Sequence, residues 1–148
     1  MLRSRRLEVV LALEKRREQA ALDVMTGARE HFQGQQQRLE ELRGYQADYR
    51  AQMRVSQQGV VSVSQLQGWQ AFIAQLDQVI EQQEHQVRQA QERFDAARRG
   101  WQEAYERRRG MDRHIEACRI QEQRERDSRE QKQADEASGR AHARRRQS

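Results

Sequence analysis

The sequence predicts an all-α fold, a long antiparallel two-helix coiled coil (α-hairpin) with no compact core. Two apolar seams of seven-residue period predict it, together with a composition too polar for a globular interior and one short β-branched interruption, GVVSVSQLQG at 59–68. Charged residues make up 34% of the 148, hydrophobic ones 35% and aromatic ones 5%, with a mean hydropathy of -1.23. So polar a chain either stays disordered or forms helices that bury only a narrow stripe. The lack of proline favours helix, since proline costs about 3 kcal/mol inside one.

The first element follows from steps of four and three residues starting at Leu7. They pass through Leu11, Glu14, Glu18, Ala21, Met25, Ala28, Phe32, Gln35, Leu39, Leu42, Gln46, Tyr49 and Met53. This predicts helix 1 over about 4–57. The second element follows from the same stepping from Trp69 through Ile73, Leu76, Ile80, Gln83, Val87, Ala90, Phe94, Ala97, Trp101, Ala104, Arg108, Met111, Ile115 and Cys118 without a phase slip. It predicts helix 2 from about 65.

Between the two lies a tip at about 58–64. Gly59 tolerates left-handed backbone angles, and Val60, Val61 and Val63 are poor helix formers, so the first helix should stop here. Ser62 and Ser64 each precede a Gln by three residues, the capping-box spacing that starts a helix. If the arms fold back, a register in which facing residue numbers sum to 122 sets every seam position of one arm opposite one of the other. It places Ala28 against Phe94, Phe32 against Ala90, Ala21 against Trp101 and Met25 against Ala97, large against small, and Glu14 against Arg108. Arms of about 50 residues at 1.5 Å each give a rod of order 75 Å. Residues 1–118 thus form the hairpin, and 119–148, where the apolar seam ends, form a charged helical extension or a frayed tail that a partner could order.

The residues exclude several functions. One cysteine, Cys118, allows no internal disulfide and suits a reducing compartment. No run reaches the roughly 20 apolar residues of a membrane span, and the N-terminus does not read as a signal peptide, so a cytoplasmic location is expected. The four histidines are scattered, no phosphate loop occurs, and a two-helix fold has no cleft to desolvate a substrate, so no catalytic residue, cofactor or metal site is expected. His114 and Cys118 lie one turn apart but supply only two of the four ligands a structural zinc needs, and His114 is expected to pair with Glu8.

Two surface features remain. Arg3, Arg5, Arg6, Arg140, Arg144, Arg145 and Arg146 crowd toward the termini, which a hairpin brings to one strongly positive end; the net charge is +5. No aromatic is interleaved with them, so specific nucleic-acid recognition is not expected, although a nonspecific nucleic-acid-binding coiled coil is an alternative. Near the tip, Tyr45, Phe72 and Val79 flank Leu42, Tyr49 and Leu76 and widen the apolar stripe beyond what two helices cover, which is the pattern of a docking patch. A generic dimeric scaffold would use the same heptads between chains.

RLEVVLALEKRREQAA, LEELRGYQADYR, GVVSVSQLQGWQAFIAQLDQVI, ARRGWQEAYERRRGMDR and EQKQADEASGRAHARR, in that order and spacing, resemble the FliJ family of flagellar type III export proteins. Where the family often carries a Phe in a short F-x-L segment at the start, this chain has Arg6 and Leu7. The resemblance implies a nonenzymatic stalk, cytoplasmic and peripheral to the cell membrane, that sits in the centre of the hexameric flagellar export ATPase and reaches the membrane export gate protein, with a role in handling substrate-specific export chaperones. The equivalent stalk protein of a virulence injectisome is the alternative it leaves. The family's gate-docking surface maps onto Leu42, Tyr45, Tyr49, Phe72, Leu76 and Val79, and the terminal arginines would contact the ATPase ring.

Overall fold

A computed structural model describes residues 2–56 and 58–147. Two helices, α1 (Arg3–Ser56) and α2 (Val63–Gln147), account for nearly all of them. The helices pack against one another antiparallel in two compact units, Met1–Gln19 with Glu103–Ser148 and Ala20–Gln102. The expected limits at residues 1, 57 and 148 lie outside the described residues.

The heptad seams are the buried faces. Every α1 seam position except Tyr49, and every α2 one from Trp69 to Cys118, is buried or half-buried, while most of the residues between them are exposed. The deepest positions of the stripe are Ala90, 1% exposed, and Ile115, 2% exposed. No large side chain is fully enclosed, because two helices cover a stripe and not a volume.

Several long side chains reach partners about one turn beyond the 122 register, while Gln83 reaches one turn the other way to Gln35. Phe32 meets Phe94 edge to face with ring centroids 6.1 Å apart, and Arg108 pairs with Glu18 rather than with Glu14, each one helical turn beyond the residue placed opposite it. Cα–Cβ bonds tilt toward the N-terminus of their own helix. In an antiparallel pair, two long side chains therefore lean past one another, and each reaches a partner about a turn away from the one level with its own Cα. Glu14 instead pairs with Arg17 on its own helix at 3.3 Å, and its Oε2 is buried without a partner. Glu8 pairs with Arg119 by the same lean, so the expected His114–Glu8 pair does not form and His114 is exposed.

Polar seam positions are bridged. Gln83 is buried and donates from Nε2 to the backbone oxygen of Gln35 at 3.0 Å and to its Oε1 at 2.8 Å. Gln46 bonds Asp77. The seam also runs one layer past Cys118, where the expectation ended it: buried Ser4 donates its N–H and Oγ–H to Glu122 at 3.0 and 2.7 Å. A hydroxyl facing a carboxylate closes the stripe with polar atoms, which a search for apolar residues does not see.

At the tip, Ser62 Oγ accepts the N–H of Gln65 at 3.1 Å, so the cap is Ser62 and α2 begins at Val63, slightly earlier than expected. The N–H groups of Gln58 and Gly59 donate to Val55 and Ser56 oxygens at 3.2 Å, tightening the end of α1. No described glycine has a positive φ, so Gly59 ends the helix without the left-handed angle its type permits.

Candidate functional site

The Ala20–Gln102 unit carries an aromatic face built from both helices. Leu42, Tyr45 and Tyr49 recur at three- and four-residue steps on α1, and Phe72, Leu76 and Val79 do so on α2, so each set lines one side of its helix. Leu42 and Leu76 are half-buried, whereas Tyr45 is 59% exposed, and Tyr49, Phe72 and Val79 are exposed as well. The rings of Tyr49 and Phe72 join the two sets, with centroids 4.5 Å apart and planes tilted by 53°. Tyr49 is the one α1 seam residue that is exposed; it belongs to the seam by spacing and to this face by its ring contact.

Sequence reasoning missed a recess beside that pair. A cavity of about 90 Å³ is lined by Tyr49, Gln52, Trp69, Phe72 and Ile73. Trp69 and Ile73 were assigned to the seam; the available signal was that Trp69 opens α2's seam close to the tip, where α1 has little left to cover it. Charge surrounds the face unevenly. Residues 49–76 contain Arg50 and Arg54 and no carboxylate, and Arg50 reaches Asp77 at 3.6 Å.

The seven terminal arginines are not gathered at one place. Ser4 lies against Glu122, so Arg3, Arg5 and Arg6 lie near that level, while Arg140 and Arg144–Arg146 lie on a stretch of α2 that continues beyond it. At 1.5 Å per residue that stretch carries them roughly 27 to 36 Å further on. From Gln123 to Gln147 every residue is exposed. Here α2 runs on beyond the described start of α1 at Arg3. The two groups of arginines are offset along α2 because the helices are 54 and 85 residues long and residues 123–147 extend past the start of α1.

The charged group in the Met1–Gln19 and Glu103–Ser148 unit is structural in character. Arg108 donates Nε to Glu18 Oε2 at 2.8 Å and Nη1 to Asp112 Oδ2 at 2.9 Å, and its guanidinium lies 5.1 Å from the Tyr105 ring centroid. The bond to Glu18, then that to Asp112, raises its pKa above the ordinary value, so the cation is fixed. Among the described residues, no cluster of three or more His, Cys, Asp or Glu side chains could hold a metal ion, and no helix is long and apolar enough to cross a membrane.

What the fold offers, then, is side chains on helix exteriors: an aromatic face, and arginines along helix flanks. That is the make-up of a helical-hairpin interaction protein. A family model described as flagellar FliJ protein matches residues 3–147. The chain belongs to the FliJ family, and with it to the components of flagellar type III export. Comparisons with curated proteins and with solved structures gave no match.

Proposed function

We propose that the chain is the stalk of the flagellar export ATPase. The Met1–Gln19 and Glu103–Ser148 unit enters the hexameric ring, where Arg3, Arg5 and Arg6 on α1 and Arg140, Arg144, Arg145 and Arg146 on α2 face acidic linings; charge can match there without tight packing. The aromatic face of the Ala20–Gln102 unit docks on the membrane export gate protein through Leu42, Tyr45, Tyr49, Phe72, Leu76 and Val79. The protein works in the cytoplasm at the inner side of the membrane and meets export chaperones there.

The observation that supports this reading best is the exposed Tyr45, Tyr49 and Phe72, with Val79, on one side of a hairpin whose other aromatic rings are half-buried. Large rings left in water on a helix exterior are binding anchors, and truncating such an anchor costs on the order of 2 kcal/mol of affinity. The test is a pair of variants. Tyr45→Ala with Phe72→Ala is expected to weaken binding to the purified gate protein at least tenfold and to leave ATPase stimulation intact. Arg3→Glu with Arg5→Glu and Arg6→Glu is expected to abolish the stimulation and leave gate binding intact. Unchanged binding and unchanged turnover in the two variants would overturn the assignment.

A further inference from the structure

The first turns of α1 have a second apolar face that the seam does not use. Taking Leu7 and Leu11 as the direction of α2 and advancing 100° per residue, Leu2, Val9 and Leu13 fall within about 40° of the opposite side of the helix, and Val10 lies on the flank between them and the seam. All four are exposed, Val9 by 72%. Arginines frame them: Arg6 and Arg17 lie at the same angles, Arg3 on one flank, Arg5 and Arg16 on the other.

No acid shares this face. The three carboxylates of residues 1–19 lie on the seam side or on the opposite flank from Val10 and are engaged, Glu18 with Arg108, Glu8 with Arg119 and Glu14 with Arg17, so that Arg17 already has a carboxylate partner. Arg3, Arg5, Arg6 and Arg16 are exposed and have no carboxylate partner among the described residues. A coiled-coil flank that only needed solubility would mix the signs, as the rest of the chain does. Here the outer arc of the helix, from Arg5 and Arg16 round to Arg3, carries arginines and apolar residues and no acid.

We propose that this outer face of α1, from Leu2 to Arg17, is a docking surface for an anionic lipid bilayer. The match is one of charge and form. The arginines share one sign and lie on both flanks, which suits a plane carrying charge everywhere. Their stems cover apolar surface while the guanidinium groups reach phosphate, and Leu2, Val9, Val10 and Leu13 enter the boundary between headgroups and acyl chains. The face has no aromatic ring, the usual anchor of a protein contact. Helix α2 packs on the other side of α1 and leaves the face open.

The test uses the full chain and co-sedimentation with vesicles of pure phosphatidylcholine, or of phosphatidylcholine with about a quarter phosphatidylglycerol, at near-physiological salt. Binding to the second and not to the first is expected, falling with added salt. Val9→Gln with Leu13→Gln alters no charge and sits on an exposed helix surface; it is expected to keep the helical circular dichroism and to lose about tenfold in vesicle affinity. Arg5→Gln with Arg16→Gln is expected to lose at least as much. Equal sedimentation on both lipids, or full binding by the Val9 and Leu13 variant, would overturn the proposal, as would preference for soluble polyglutamate over the vesicles. Arg3, Arg5 and Arg6 are shared with the proposed ring contact, so ring and bilayer are alternative occupants of this face; Val9 and Leu13 take no part in the ring contact, and failure here leaves that reading standing.

Discussion

Arg108 holds two carboxylates, Glu18 and Asp112, beside a seam that is otherwise largely apolar, and its own side chain is 23% exposed against 20% for Glu18. Removing the cation leaves Glu18 half-desolvated and unpaired. Arg108→Ala is therefore expected to lower the unfolding free energy by about 1 to 2 kcal/mol in urea titrations, whereas Arg108→Met combined with Glu18→Leu recovers most of that loss. Glu14 is the opposite case, with Oε2 buried and unbonded. Glu14→Leu removes the orphan atom and should stabilise by about 1 kcal/mol in the same measurement. At the other polar layer, the N–H of Ser4, then its hydroxyl, holds the Glu122 carboxyl below its ordinary value of 4.5. A depressed carboxylate pKa contributes stability above its unfolded value that disappears as pH falls through the folded one. Thermal melts of the wild type should thus drop below pH 4.5 more steeply than those of Glu122→Gln, and parallel curves would refute the linkage.

The two helices differ in what sustains them. Over the paired length, helix formation is driven by the buried stripe, and the ends are fixed by particular bonds such as Ser62 Oγ to Gln65 N–H. Ser62→Ala should cost about 1 kcal/mol, read from the denaturation midpoint. Among the described residues, 123–147 are exposed throughout and show no buried stripe, and their bonds include local pairs such as Gln123 with Asp127. Ending the chain after Glu122 is expected to reduce the helical signal and leave the main transition within about 0.5 kcal/mol of its original position. A large drop would mean that the extension packs after all.

At the scale of the molecule, the Ala20–Gln102 unit contains the tip and both seam segments that face each other there. As an isolated fragment it should fold and melt cooperatively in circular dichroism. The fold was legible because a seven-residue period survives polar substitutions: Gln35, Gln83, Glu18 and Arg108 break the apolar run yet keep its phase, and all are turned inward. Pairing was less legible, because spacing fixes where Cα atoms stand and not where long side chains end; Glu18 rather than Glu14 reaches Arg108 for that reason. The aromatic face could be read from residues outside the seam, but the recess at Trp69 could not, since a seam residue was taken to be covered. The basic set was misplaced in space because helix ends do not have to coincide.

That mismatch of ends has a thermal consequence. A peptide stretch of 25 residues whose order depends on short-range bonds alone loses it gradually, by shortening from its free terminus as heat is applied. Ellipticity at moderate temperature should slope downward well before the sharp fall of the paired coil, and amide protons from Gln123 onward should trade with deuterated water far sooner than those near Ala90 or Ile115.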